Sequence, residues 1–367
     1  SVFIPIVCLA MTEPHAPPSA ADSIARLRII DASVNRASEG LRVVEDYTRF
    51  ALDDRHLTSL LKQLRHELNQ AIEQIPAAHR YSARDTQADV GTSLGSPSDQ
   101  QRVTARDVAE ASLRRLAEAL RSIEEYSKCF YPAVSTSAES LRYRLYTIGR
   151  AITSTTRAVD TLAGRSLYVL VDAAGPIDTW QARLERLLAA GVDVIQLRDK
   201  RVTDRELLVR ARALRQLTRP RQTILIINDR PDIARLAQAD GVHVGQDELT
   251  VKDARSLVGP ELLIGVSTHS IEQARQAVLD GADYLGCGPV FPSPTKTFTE
   301  FPGLEFLRQL RAEIGLPAFA IGGIDSERIA QVRDTGFTRV AVSSAVWEAE
   351  RPEVSIAQLR AELQPRG

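Results

Sequence analysis

Tyr284-Leu-Gly-Cys-Gly-Pro-Val-Phe-Pro-Ser-Pro-Thr-Lys-Thr297 is a short apolar run that breaks into a loop of glycine, proline, hydroxyls and one lysine. Gly286 and Gly288 let a ligand approach the backbone, Pro289, Pro292 and Pro294 stiffen the loop, and Ser293, Thr295 and Lys296 supply donors and positive charge. A loop so equipped grips an anion. Its position decides the fold, because apolar runs ending in similar polar clusters recur on either side of it.

Working outward, Val- and Ile-rich runs read as strands at Leu167–Val171, Val192–Leu197, Thr223–Ile227, Gly241–Val244, Leu262–Val266, Tyr284–Cys287, Ala318–Ile321 and Val340–Val342. Amphipathic helical sequence follows each one. Eight such units over about 200 residues predict a parallel (β/α)8 barrel, a TIM barrel, spanning residues 161–367. A doubly wound open sheet is the alternative. It would normally have fewer strands and one localised glycine fingerprint, whereas here polar groups follow nearly every strand.

In a barrel the C-terminal strand ends converge on one face. The second strand ends in Gln196-Leu-Arg-Asp-Lys200, where Arg198 can grip two phosphate oxygens and Lys200 adds a compact charge. A surface ion pair between Arg198 and Asp199 is the competing reading. The third strand ends in Asn228 and Asp229, the fourth in His243-Val-Gly-Gln-Asp-Glu248. Carboxylates on adjacent strand ends suit Mg2+, which takes hard oxygen ligands and bridges to substrate phosphates. Helix N-capping would equally account for Asp229 and Asp247, and His243 reads as a packed core histidine. The fifth strand supplies Ser267 and His269, the latter also able to cap the next helix. Gly322 and Gly323, with Ser343 or Ser344, offer backbone N–H groups for a phosphate after strands seven and eight. One anion site suits a diphosphate and the other a monophosphate, which implies a substitution with diphosphate leaving.

Ahead of the barrel, residues 22–160 read as all-helical, with Leu41, Val44, Leu57, Leu60, Leu61, Leu64 and Leu68 at three- and four-residue spacing. An internal repeat lies here. The segment Arg36-Ala-Ser-Glu-Gly-Leu-Arg-Val-Val-Glu-Asp-Tyr47 aligns with Arg115-Leu-Ala-Glu-Ala-Leu-Arg-Ser-Ile-Glu-Glu-Tyr126, and Leu64-Arg65 with Leu141-Arg142. Two helical hairpins about a pseudo-twofold axis are expected. Their charges (Glu39, Arg42 and Glu45/Asp46; Glu118, Arg121 and Glu124/Glu125) are either surface ion pairs or the lining of a shared pocket, with Arg84–Gly91 as its lid. Residues 1–21 read as a disordered lead-in in which Met11 is the expected start.

The chain of 367 residues has a net charge of -1, 44% hydrophobic and 25% charged residues. That balance argues against nucleic acid or an anionic membrane as partner. Cys8, Cys129 and Cys287 show no pairing or metal-ligand spacing and read as reduced thiols of a cytoplasmic protein.

From about Ser166 to Trp347 the ordered motifs around 196–200, 227–229, 243–246, 265–270, 288–296, 321–324 and the closing Ser344-Ala345 pair resemble thiamine-phosphate synthase. The resemblance implies joining of 4-amino-2-methyl-5-hydroxymethylpyrimidine diphosphate to thiazole phosphate, with Mg2+ as cofactor. Carried over by position, Gln196, Arg198 and Lys200 would hold the pyrimidine diphosphate, Asn228 the pyrimidine, and Asp229 the metal. Ser267, Ser293, Thr295 and Lys296 would contact diphosphate or thiazole phosphate, and Gly322, Gly323 and Ser344 the thiazole phosphate. Arg198, Lys200, Ser267 and Lys296 would act on the reacting groups. The family's Gly-Gln-Glu-Asp stands here as Gly245-Gln-Asp-Glu248, so the second metal carboxylate is Glu248 or Asp247. A thiazole tautomerase would not need Arg198, Lys200 and the carboxylates; a sensor of phosphorylated thiazole or thiamine would bind without turnover. The helical region resembles a hydroxymethylpyrimidine-phosphate kinase domain fused to such synthases, which implies ATP as a partner; a non-catalytic dimerisation domain is the rival. A homo-oligomer is expected.

Overall fold

The computed structural model describes residues 19–83, 102–292 and 301–363. Ser293, Thr295, Lys296, the Arg84–Gly91 segment, Cys8 and Met11 lie outside the described residues.

The helical region is assembled from capped helices. Ser19 accepts from the Asp22 amide to start α1 (Ala20–Phe50), inside the segment read as lead-in. Asp54 caps α2 (Arg55–Ile72), followed by α3 (Ala77–Ala83). A reciprocal Thr104–Asp107 box starts α4 (Ala105–Ser127), and a proline opens α5 (Pro132–Thr161). Hairpins α1–α2 and α4–α5 pack through α1 and α4. A Cβ at Gly40 would lie 3.2 Å from that of Leu116, so glycine permits the close crossing. Each hairpin is held by the same pair of the repeat, Glu45–Arg65 at 3.2 Å and Glu124–Arg142 at 2.8 Å. Glu39, Arg42 and Glu118 are exposed, and Arg121 pairs with Glu124 and Glu125 along its own helix. Among the described residues these charges join helices or are exposed.

The barrel is closed, with every neighbour parallel, in the order β1 (Leu167–Val171), β2 (Val194–Leu197), β3 (Ile224–Asn228), β4 (Gly241–Val244), β5 (Leu263–Thr268), β6 (Tyr284–Cys287), β7 (Ala318–Ile321) and β8 (Val340–Val342). The open-sheet alternative is thereby excluded. β3 and β5 run further than their apolar sequence indicates, since Asn228, Ser267 and Thr268 keep ladder partners although polar. The strands are buried on both faces, as their near-continuous apolar runs require. Inside the barrel Tyr168, Tyr284 and Phe319 meet edge to face, with centroids 5.2–6.0 Å apart. Between the strands come α6 (Ile177–Ala189), α7 (Asp204–Thr218), α8 (Pro231–Leu236), α9 (Val251–Val258), α10 (Ile271–Asp280), α11 (Gly303–Glu313) and α12 (Ile329–Arg333); α13 (Ser344–Trp347) and α14 (Pro352–Leu363) follow β8.

The helical region is bonded to the segments that lead into β5, β6 and β7. Arg157 of α5 donates to the Pro260 carbonyl and to Asp283, which also accepts from Arg255 and from the Ile264 amide at 2.8 Å. Asp54 accepts from the Gly315 amide at 2.9 Å, and Arg150 donates to the Leu279 carbonyl at 2.9 Å. These contacts lie at the N-terminal strand ends.

Candidate active site

Three predicted residues from three strands meet at the C-terminal face. The Lys200 ammonium lies 2.8 Å from Asp229 and 3.0 Å from Glu248, and these two carboxylates, hydrogen-bonding first and Coulombic attraction after it, raise its pKa. Asp229 follows β3 with φ 60, a left-handed conformation uncommon outside glycine, and its amide donates to the His243 carbonyl at 2.8 Å. Capping does not explain it: α8 has no side-chain cap, and Thr250 caps α9. Glu248 folds back over Gly245, where any Cβ would collide with its carboxylate. Asp247 is exposed and stays outside this cluster.

Asp199 does not pair with Arg198. It takes Arg201 at 2.9 and 3.0 Å and the Ala173 amide, which hold its carboxyl down at about 2. Arg198, half-buried at the end of β2, has no carboxylate partner among the described residues. A guanidinium without a carboxylate partner among the described residues, two positions from an ammonium, suits a phosphate group.

Asp229 and Glu248 are hard-oxygen donors on neighbouring strand ends. Among the described residues no group of three or more His, Cys, Asp and Glu is placed to hold a metal. Mg2+ commonly takes only one or two protein carboxylates and completes its shell with water and substrate phosphate, so the donor set fits it.

The side read in the sequence as a monophosphate site brings two loops together through backbone bonds. Gly322 and Gly323 adopt φ 105 and 63, and Val290 and Phe291 donate to the Ile321 and Gly322 carbonyls at 2.9 and 3.0 Å, tying the loop after β6 to that after β7. Ser343 spends its hydroxyl on the Leu170 carbonyl at 3.3 Å, whereas Ser344 is exposed. His269 does not cap α10, a role filled by Ser270; its Nδ1 contacts the Gly288 carbonyl.

Strand-by-strand reading misses a buried polar chain across the barrel. Gln196 Nε2 donates to Tyr168 Oη at 2.6 Å, Tyr168 Oη meets Tyr284 Oη at 3.0 Å, Tyr284 Oη meets His243 Nδ1 at 3.1 Å, and His243 Nε2 meets Ser267 Oγ at 2.9 Å. His243 is a core residue, as read, yet it touches a predicted substrate ligand. Gly265 was the available signal: a Cβ there would strike the Tyr284 ring, so only glycine lets that ring cross β5 towards His243. Asn228 closes β3 beside His243 in register.

A thiamine monophosphate synthase family model matches residues 167–346, and a ThiD2 family model matches residues 28–151. The chain is 44% identical over 335 residues to a thiamine-phosphate synthase of Rhodopirellula baltica, covering 89% of each chain. It is 40% identical over 336 residues to one from Synechocystis, covering 92% of this chain and 96% of that one. A solved thiamine phosphate pyrophosphorylase from Pyrococcus furiosus is 35% identical with a TM-score of 0.49, covering 54% of this chain and 95% of that one. No helix among the described residues is long and apolar enough to cross a membrane.

Proposed function

The chain belongs to the thiamine-phosphate synthase family, and we propose that the C-terminal face of its barrel joins the pyrimidine diphosphate to thiazole phosphate through the residues gathered there. The observation that carries this reading is the convergence of Lys200, Asp229 and Glu248 at the strand ends, with Arg198, two residues before Lys200, having no carboxylate partner among the described residues.

Gln196 and Asn228 hold the aminopyrimidine, while Arg198 and Lys200 receive its diphosphate. The C–O bond to the diphosphate breaks with its electron pair leaving on oxygen, and the electron-rich aminopyrimidine spreads the positive charge left on its methylene carbon. The thiazole nitrogen then forms the new C–N bond. Arg198 and Lys200 are placed where negative charge accumulates, the arrangement with most effect on such a barrier. A Mg2+ ion held by Asp229 and Glu248 would supply further charge neutralisation of the diphosphate. Gly322, Gly323 and Ser344 anchor the thiazole phosphate, and that positioning converts an encounter into a near-unimolecular step. Ser293, Thr295 and Lys296 are assigned to the same phosphates by sequence position alone. The carboxylate cluster argues against a tautomerase, which has no diphosphate to neutralise.

Purified chain with both phosphorylated substrates and Mg2+ should release thiamine phosphate and diphosphate. Lys200→Ala and Asp229→Ala should each lower kcat/KM about 10²- to 10³-fold, the scale for losing one preorganised charge-stabilising group. Asp247→Asn should stay within about twofold, as exposed sites generally do. Full activity in the first two variants would remove the site assignment.

For the helical region we propose hydroxymethylpyrimidine-phosphate kinase activity, supported by its match over residues 28–151. Such a kinase would make the diphosphate that the barrel consumes. Incubating the full chain with ATP and the pyrimidine monophosphate should yield ADP and pyrimidine diphosphate; binding without ADP release would favour a dimerisation role.

A further inference from the structure

The polar chain inside the barrel has a direction. Burial, the leading cause, raises the pKa of both phenols, so each keeps a proton to donate. With the Gln196 amide nitrogen on Tyr168, the arrangement in which every buried hydroxyl donates its proton has Tyr168 donating to Tyr284 and Tyr284 to His243 Nδ1. A neutral imidazole accepting at Nδ1 carries its hydrogen on Nε2, which therefore donates to Ser267 Oγ. The serine proton is then turned away from the chain. Ser267 is only partly buried, whereas Gln196, Tyr168 and Tyr284 are no more than 2% exposed. Were the Gln196 amide reversed, every bond would reverse with it, and Ser267 would spend its proton on His243.

We infer that Tyr168, Tyr284 and His243 are positioning residues that couple the two ends of the substrate site, making Ser267 an obligate donor whenever the Gln196 carbonyl accepts a hydrogen bond from the substrate. This rests on the proposed placement of Gln196 and Ser267 at the pyrimidine and the diphosphate. The exocyclic amine of an aminopyrimidine needs an acceptor. Engaging the Gln196 carbonyl holds the amide nitrogen on Tyr168 and so sets the polarity of the chain. The Ser267 hydroxyl then faces the anionic end of the same substrate, where a donor is required. A pyrimidine with an acceptor in place of the amine would favour the reversed chain and lose the serine donor.

The test is a double-mutant cycle on the full chain, with Tyr284→Phe and Ser267→Ala separately and together. Tyr284→Phe keeps the ring and removes the link. It should lower kcat about 5- to 30-fold, the scale of one misdirected hydrogen bond, with a smaller change in KM. In the Ser267→Ala background the same change should cost less than about twofold, because its effect passes through the serine. An equal loss in both backgrounds would show a packing role and overturn the coupling. Wild-type turnover in Ser267→Ala alone would instead overturn the site assignment beneath it. Tyr168→Phe provides the same cycle should Tyr284→Phe fail to fold. 15N NMR of the histidine-labelled chain, with the signal assigned by its loss in His243→Gln, should show the Nε2–H tautomer with the pyrimidine substrate bound. The Nδ1–H tautomer there would refute the polarity.

Discussion

At the N-terminal ends of the barrel strands, the Asp283 carboxylate has no exposed surface and is gripped by Arg157, Arg255 and a backbone amide. At the C-terminal ends, Lys200, Asp229 and Glu248 retain 58%, 18% and 29% exposure, and Arg198 has no carboxylate partner among the described residues. Both ends use the same side-chain chemistry. At the lower end the partners are fixed parts of the fold, Arg157 from the helical region and Arg255 and the Ile264 amide from the barrel itself. At the upper end the charges are partly exposed, and the proposed function has a ligand replace their mutual contacts.

The sharpest way to break this contrast is Asp283→Ala. Removing one member of a buried ionic group leaves uncompensated charge and costs about 3–5 kcal/mol. Thermal unfolding should therefore occur at a markedly lower temperature, with kcat at low temperature little changed. The Lys200→Ala change described above should do the reverse, lowering turnover while the melting temperature barely moves. If both variants lost stability and activity together, the division between the two ends would fail.

A smaller effect comes from Asp54. Burial pushes its carboxyl up to about 6, although the Leu57 and Gly315 amides favour the ionised form. A carboxyl raised above its unfolded value of ~3.9 stabilises the fold fully below that value. That contribution is lost as pH rises through about 6. Nearby His56 is held below its ordinary pKa by burial and acts in the opposite sense as pH falls. The informative quantity is thus the difference between wild type and Asp54→Asn, which should shift by about 2–3 kcal/mol between about pH 4 and 6. A pH-independent difference by chemical denaturation would mean that the buried carboxyl does not titrate in that range.

Much of the architecture was legible because its signals are local. Strands Leu167–Val171, Gly241–Val244, Tyr284–Cys287, Ala318–Ile321 and Val340–Val342 run as their apolar stretches indicate. The repeat of Glu45 and Arg65 in Glu124 and Arg142 gave matching helix-to-helix pairs. Reading failed where several side chains could fill one role. Sequence placed Asp199 next to Arg198, but the backbone turn after β2 delivers Arg201 to it. Sequence put Glu248 first and left Asp247 as its substitute; Glu248 folds back over Gly245 to meet Lys200, while Asp247 is exposed. Tyr168 and Tyr284 drew no separate reading, since nothing near them in the chain reports that their hydroxyls meet inside a closed barrel.

The amino-acid order by itself determined the parallel barrel, the helical repeat and the family, because periodicity, turn residues and ordered motifs act over a few residues at a time. Only the tertiary structure decided which charges are tied down and which are left for a ligand. It also decided that Gln196 and Ser267 are joined through three buried rings. Those outcomes depend on distances between strands far apart in the chain, which barrel closure sets and no local pattern encodes.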